Sequence, residues 1–326
     1  MSSKPTILIT AAGGHIGSEL IPLLLNEHVN LVLPTSNASR LQTKYFPSSN
    51  TTPSNVSIEE GPITDPHWVE SILKTHKVTS VFLNLIGTDE LLTTLNFFDS
   101  MQRAGTVKNL VYVSACGDFA DTFEGFKKTL TSNSAAHVLV KPLIEYKLLL
   151  SEYSWTTTRL GPTMFFDNDI RRKERIREGF FDEPISDFLG KGQSKVSCED
   201  IAIIARNSLL DPKRWAGKKI MIGSLKRYSG AEVAGLWSEA VLNGKEMKRI
   251  LGGNARLENY EAKAEFPLHG SWAWPRDLRL MYETWAEDGF GMTEEEYAVQ
   301  VEALGREPRR YEDWVRGKGR ELVLEK

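Results

Sequence analysis

The sequence predicts an α/β protein built on a doubly wound parallel sheet. Short apolar runs recur along the first half of the chain, and segments with helical periodicity separate them. The runs are continuously apolar rather than alternating, which is typical of parallel strands buried on both faces. After residue 161 the rhythm changes and mostly helical segments follow. We therefore expect one domain over residues 1–160 and a smaller, mainly helical domain over residues 161–326.

The elements are predicted from these runs in chain order. We predict strands near residues 6–10, 29–33, 56–60, 80–85, 109–113 and 155–160, and a further strand at 219–222 that returns to the first domain. Helices are predicted at about 14–27, 90–103, 137–152, 231–242, 277–287 and 293–304. Another helix should begin after Asp65, because an N-cap residue there precedes Pro66 at the first helical position.

The composition excludes several classes of protein. The 326 residues are 41% hydrophobic and 25% charged with a net charge of -3, so neither a nucleic acid nor an acidic membrane surface is an expected partner. Cys116 and Cys198 are too few for a disulfide framework, and the six histidines have no metal-binding spacing, so we predict no metal. No apolar run approaches the roughly 18 residues of a membrane span. We expect a cytoplasmic location.

The turn between the first strand and the first helix is predicted to bind phosphate. A helix N-terminus offers unpaired N–H groups and the positive end of the helix dipole. Gly14 would let the backbone approach a pyrophosphate, and Gly17 would let the helix pack against the strand. Ala11 occupies the first glycine position of the usual fingerprint, and an ordinary strand-to-helix turn is the alternative. The residues assigned to cofactor binding here are Thr10, Ala11, Gly13, Gly14, His15, Ile16 and Gly17.

The end of the second strand bears on which dinucleotide binds. An acidic residue there favours NAD, because it accepts a hydrogen bond from the ribose 2′-hydroxyl. None is present, whereas Arg40 and Lys44 follow and could neutralise a 2′-phosphate. We predict NADP (NADPH) as the cofactor, with NAD as the second candidate. The alternative for each cation is a solvated charge on a surface helix.

Five segments together resemble the NmrA-like family, atypical members of the short-chain dehydrogenase/reductase superfamily. They are Ala11–Gly17, Ala104–Ala115, His137–Glu145, Thr156–Asn168 and Leu304–Val315. The resemblance implies a Rossmann-type domain that binds NAD(P). It also implies one of two activities: hydride transfer to a carbonyl, quinone or activated alkene, or cofactor sensing without turnover through a protein partner.

The resemblance assigns roles to three candidate catalytic residues. Lys141 stands where the superfamily has its active-site lysine, which orients the cofactor and stabilises a developing oxyanion. The tyrosine that usually precedes this lysine by four is His137 here, and an imidazole could supply the proton. A structural hydrogen bond is the alternative role for His137. Ser114, at the end of the fifth strand, could bind a substrate oxygen or cap the strand.

The residues after the sixth strand are expected to line the site. The family pattern places Pro162 and Thr163 against the cofactor, and Phe165, Phe166 and Asn168 around a small-molecule substrate. Two phenylalanines suit a flat aromatic or quinonoid substrate, and they also suit ordinary domain packing.

The chain departs from the family pattern at two further positions. Ser36, a further cofactor-binding candidate, replaces a basic residue, and Pro62 replaces an aspartate that contacts adenine.

The resemblance, together with the cations after the second strand, predicts an NADPH-dependent reductase. The alternative is a non-catalytic NAD(P)-sensing regulator, and a protein that no longer binds the cofactor is a third reading.

Overall fold

The central element of the fold is a seven-stranded sheet. The structure is a computed structural model that describes residues 4–48, 51–85, 89–119, 121–132, 135–182, 191–250 and 273–325. The sheet strands are β1 (Thr6–Ile9), β2 (Asn30–Thr35), β3 (Val56–Glu60), β4 (Ser80–Leu83), β5 (Asn109–Val113), β6 (Thr156–Pro162) and β10 (Lys219–Ile222). The helices of the first half are α1 (His15–Leu25), α2 (Ala38–Tyr45), α3 (Pro66–Thr75), α4 (Glu90–Ala104), α5 (Phe123–Ser132) and α6 (Ala136–Leu150).

The strand order confirms the predicted fold class. The order is β10-β6-β5-β4-β1-β2-β3, with parallel pairing between neighbours from β6 to β3. Ile7 of β1 lies opposite Leu31 of β2 on one side and Ser80 of β4 on the other. The chain therefore winds outward from β1 in both directions, and ligands of such sheets bind where the winding reverses, at the carboxyl end of the strands.

Burial explains why these segments form strands and helices. All four residues of β1 and of β4 are buried, as a sheet covered on both faces requires. Helix α1 buries Ile16, Leu20, Ile21 and Leu24, which recur at intervals of three and four residues. The predicted start of α3 is observed, since the Asp65 carboxylate accepts from the N–H groups of His67 at 2.8 Å and Trp68 at 3.3 Å.

The chain forms two compact units. The first comprises residues 1–114, 143–161 and 201–220, and the second comprises 115–142, 162–200 and 221–326. The second unit thus takes residues 115–142 in addition to most of the expected 161–326, whereas residues 201–220 belong to the first.

The second unit combines small sheets with helices. Its strands are β7 (Met164–Phe165), β8 (Phe180–Asp182), β9 (Gln193–Val196), β11 (Arg227–Tyr228) and β12 (Lys248–Ile250), with β11-β9-β7 and β12-β8 as the sheet orders. The remaining helices among the described residues are α7 (Lys173–Arg177), α8 (Cys198–Leu210), α9 (Pro212–Trp215), α10 (Gly230–Leu242), α11 (Trp274–Asp288), α12 (Glu294–Leu304), α13 (Tyr311–Trp314) and α14 (Arg320–Leu324). A 3₁₀-helix spans Phe166–Arg172 and a π-helical turn spans Val315–Gly319.

An aromatic core holds the second unit together. Phe166 packs against Tyr311 and Trp314 with ring centroids 5.2 and 5.5 Å apart, and the Trp237 ring meets Trp314 edge-on at 6.0 Å. Tyr311 and Trp314 come from the Leu304–Val315 segment that carries part of the family resemblance. That segment therefore contributes packing to this unit.

Candidate functional site

The turn between β1 and α1 has the geometry of an anion site. The N–H of Gly14 donates to the Ala11 carbonyl at 2.9 Å, and no side chain of the described residues caps the start of α1. Gly13, Gly14 and His15 are exposed, whereas Ile16 is buried. The first turn of the helix therefore presents N–H groups and the positive end of its dipole on an open surface.

The backbone of the turn favours glycine at two positions, Gly17 and Ala11. A Cβ on Gly17 would lie 2.5 Å from the Ala12 carbonyl oxygen and 2.7 Å from that of Ala11, so only glycine lets α1 start this close to the turn. Ala11 has a φ of 51°, the left-handed conformation that favours glycine. The fingerprint position that lacks its glycine thus keeps the backbone of a glycine. A Cβ on Gly13 meets only Leu41 Cδ1, at 3.8 Å.

Helix α2 holds the turn in place with two side chains. Lys44 Nζ donates to the Gly13 carbonyl at 2.9 Å and to Ser18 Oγ at 2.5 Å, and the Tyr45 hydroxyl donates to the Ala12 carbonyl at 2.5 Å. Burial raises the pKa of Tyr45 to about 12, and burial together with the positive charge of Arg40 lowers the pKa of Lys44. Lys44 therefore places its cation beside the phosphate turn, although the sequence assigned it to the 2′-phosphate.

The Thr10 hydroxyl links β1 to the end of β4. It donates to the carbonyls of Phe82 and Asn84 at 3.2 and 3.1 Å and accepts from the Asn84 N–H at 2.8 Å. Thr10 is buried, so it positions the turn from beneath.

A carboxylate from β3 lies beside the end of β2, and sequence reasoning missed it. Ser36 and Arg40 are exposed there, and Asn37 caps α2 by accepting from the Arg40 N–H at 2.8 Å. Glu60 accepts from the Ala38 N–H at 2.7 Å. Only the strand register reveals this carboxylate, because parallel pairing sets Glu60, the last residue of β3, opposite Thr35 of β2.

Ser114 belongs to a buried ionic network. Its hydroxyl donates to Glu145, which also contacts Arg159 Nη1 at 3.1 Å and Lys219 Nζ at 2.7 Å. Glu145 and Arg159 are almost completely buried, so each charge depends on the other for compensation. The hydroxyl proton of Ser114 is thus directed to a carboxylate rather than to an open surface.

His137 is tied to α11 through Asp277. Its ring Nδ1 contacts the Asp277 carboxylate, which also accepts from the N–H groups of Ala136 and His137 at the start of α6. The other ring nitrogen lies 3.2 Å from Met281 Sδ, and the ring meets Trp274 edge-on at 4.8 Å. These contacts match the structural alternative for His137, and its role as proton donor stays a prediction.

Replacing Asp277 by alanine is expected to lower the free energy of unfolding by about 1–2 kcal/mol, because two N–H groups at a helix start lose their acceptor. Asp277→Asn keeps an acceptor oxygen and should lose less. Urea unfolding followed by circular dichroism measures both changes. An unchanged midpoint for Asp277→Ala would show that these bonds contribute nothing to stability.

Lys141 lies one helical turn after His137 and is 9% exposed. Helix α6 continues through Pro142, so Lys141 lies within a continuous helical segment. Its role in catalysis stays a prediction.

The residues after β6 are only partly available to a substrate. Pro162 and Thr163 are buried; the Thr163 N–H donates to Ile222 at 2.9 Å and its hydroxyl accepts from Ser194 at 3.3 Å. Phe166 is completely buried in the aromatic core, which corrects its assignment to a substrate pocket.

Two of the predicted pocket residues keep part of their surface exposed. Phe165 and Asn168 are half-buried, and the Asn168 amide donates to Met164 Sδ at 3.2 Å. The domain-packing alternative therefore describes Phe166, whereas Phe165 keeps the character of a surface aromatic residue.

Two further kinds of feature are absent from the described residues. No helix there is long and apolar enough to cross a membrane. The same residues hold no group of three or more His, Cys, Asp or Glu side chains that could bind a metal ion.

Comparison with known proteins places the fold. The profile of a family described as NAD(P)H-binding matches residues 11–212. A comparison with curated proteins finds no match. Among solved structures, NmrA, a negative transcriptional regulator, in complex with NADP is 15% identical with a TM-score of 0.68, covering 97% of this chain and 95% of that one.

Two reductases share the fold to a similar degree. The NADPH-dependent quinone oxidoreductase QOR2 from Escherichia coli, complexed with NADPH, is 15% identical with a TM-score of 0.70 and coverages of 95% and 98%. Leucoanthocyanidin reductase from Vitis vinifera with NADPH is 16% identical with a TM-score of 0.66 and coverages of 98% and 100%. At these identities the likeness establishes the fold, which is the fold that the resemblance in the sequence implies.

Proposed function

Because this chain belongs to the NAD(P)H-binding family, we propose that it is a reductase that uses NADPH or NADH to reduce a carbonyl, quinone or activated alkene of a small organic molecule. The observation that carries the proposal is the exposed start of α1, which no side chain of the described residues caps, with the Lys44 ammonium beside it. The paired phosphates of a dinucleotide suit such a turn. Gly17 supports the same conclusion, because its missing Cβ keeps the helix start close to the turn.

The chemistry of the site divides between the cofactor and the chain. When bound, the nicotinamide ring supplies a hydride. The chain must then orient the ring and stabilise the substrate oxygen as it becomes negative, and Lys141 is the candidate because an ammonium both donates hydrogen bonds and carries positive charge. The half-buried Phe165 ring suits an aromatic or quinonoid substrate.

Replacing Lys141 by alanine is expected to lower turnover by about 100-fold or more while NADPH affinity changes only a few-fold, because the lost charge acts mainly on the developing oxyanion. Cofactor absorbance with a panel of quinones and ketones measures turnover, and fluorescence titration measures affinity. Lys147→Ala is the matched control, since Lys147 is an exposed lysine on the same helix. Full activity in the Lys141 variant would remove this residue from the mechanism.

A sensing regulator is the second candidate, and the contacts of two predicted catalytic residues favour it. Ser114 directs its hydroxyl to Glu145, and His137 is held by Asp277 and Met281. A regulator needs dinucleotide affinity and a protein partner but no proton donor. Saturable NADPH binding without turnover on the whole panel would support it, and no binding at all would leave only the third reading. A cytoplasmic location remains part of the proposal, because two cysteines are too few for a disulfide framework.

A further inference from the structure

Glu60 brings a negative charge to the end of β2 from the neighbouring strand. Parallel pairing sets Glu60 opposite Thr35, and the Glu60 carboxylate accepts from the Ala38 N–H at 2.7 Å. The side chain is exposed, so a bound molecule can reach the carboxylate. β2 is paired with β1, which leads into the phosphate turn.

This carboxylate occupies the place where α2 would otherwise attract an anion. Helix α2 has no acidic residue in its own first turn. Asn37 already accepts from the Arg40 N–H, and Glu60 accepts from that of Ala38. Two first-turn donors are therefore engaged, and the positive end of the dipole faces a fixed negative charge.

Helix α2 carries two cations, whose charge is opposite in sign to that of Glu60. Arg40 and Lys44 lie one turn apart on α2 and both are exposed. Partial burial, together with the positive charge of Arg40, lowers the pKa of Lys44. An anion near this pair would relieve the repulsion between them. However, Lys44 directs its ammonium to the Gly13 carbonyl and Ser18, which leaves Arg40 as the cation nearer the start of α2.

We propose that Glu60 biases the relative affinity of the chain towards NAD(H) over NADP(H), because its carboxylate accepts a hydrogen bond from the ribose 2′-hydroxyl and repels a 2′-phosphate. This inference rests on the proposed function, because it concerns the same dinucleotide. It assigns to β3 the acidic residue that such folds usually carry at the end of β2. Arg40 has the opposite effect, because its positive charge attracts a 2′-phosphate. The wild-type chain therefore accepts both dinucleotides.

The test is a fluorescence titration of the full chain with NADPH and NADH. Glu60→Gln removes the charge but keeps an acceptor oxygen for Ala38, so the start of α2 is preserved. We expect this variant to shift the ratio of the two Kd values about 10-fold towards NADPH, the size of one charged hydrogen bond. Arg40→Gln should shift the ratio towards NADH.

Glu59→Gln is the matched control. Glu59 is the preceding residue of β3, and its carboxylate contacts His76 at 2.8 Å and Ser57 instead of α2. Its ratio should equal that of the wild type. Binding of both dinucleotides with an unchanged ratio in Glu60→Gln would overturn this inference alone, whereas a wild-type chain that binds neither would overturn the proposed function as well.

Discussion

Replacing Asp169 by alanine is expected to lower the free energy of unfolding by about 3–5 kcal/mol, because the variant leaves a buried ammonium without its counter-charge. Asp169 lies 2.8 and 3.0 Å from Lys195 Nζ, and Lys195 is 1% exposed. The Tyr311 hydroxyl also donates to Asp169, and Trp237 Nε1 donates to the Tyr311 oxygen at 3.1 Å. Urea unfolding followed by tryptophan fluorescence reports on this core directly.

Two further variants separate the buried charge from a general defect. Asp313→Ala removes an exposed carboxylate close to Tyr311 and should cost no more than about 0.5 kcal/mol. Adding Lys195→Met to Asp169→Ala removes the orphaned charge, so the double variant should be more stable than Asp169→Ala alone. Equal stability of these two variants would contradict the ionic explanation.

Replacing Gly17 by alanine is expected to weaken NADPH binding by about 100-fold or more, because the turn must move and its charge-assisted hydrogen bonds to phosphate are lost. The new Cβ would meet the carbonyl oxygens of Ala12 and Ala11 at 2.5 and 2.7 Å. Both are backbone atoms, so no side-chain rotation can relieve the clash. Fluorescence titration with NADPH measures the loss.

Gly235→Ala is the control for this substitution. Gly235 is also a helical glycine, it is exposed, and its added Cβ meets no atom of the described residues within 4 Å. This variant should bind NADPH like the wild type and gain up to about 1 kcal/mol of stability from helix propensity. Unimpaired binding by a folded Gly17→Ala would show that the phosphates lie elsewhere.

The inner strands of the sheet could be predicted because they are runs of buried, mainly apolar residues. The structure places β5 at Asn109–Val113, all five residues buried, where the apolar run predicts it. It also places β3 at the predicted bounds Val56–Glu60, although Ser57, Glu59 and Glu60 are polar. Helix α5 was not predicted, because its sequence is largely polar and most of its residues are exposed. The local pattern of apolar residues therefore identifies segments that are buried, and it misses segments that are exposed.

The candidate site could be predicted from sequence only where its residues are consecutive. The turn between β1 and α1 follows from seven consecutive residues, and Ala11 has the left-handed backbone that favours glycine. Its binding of phosphate stays a prediction. The burial of Phe166 could not be predicted from sequence, because Phe165 and Phe166 are adjacent and of the same type. Phe166 lies in the aromatic core, whereas Phe165 is half-buried. Contacts across the chain were equally hidden: Glu60 reaches Ala38 through strand register, and Tyr311 reaches Asp169 over 142 residues.

The central claim is that the dinucleotide phosphates lie against the amides that open α1. An amide-resolved NMR titration of the ¹⁵N-labelled chain with NADPH tests it most directly. We predict saturable shifts that are largest at the N–H groups of Gly13, Gly14, His15 and Ile16. Saturable binding whose largest shifts fall outside this turn would contradict the account.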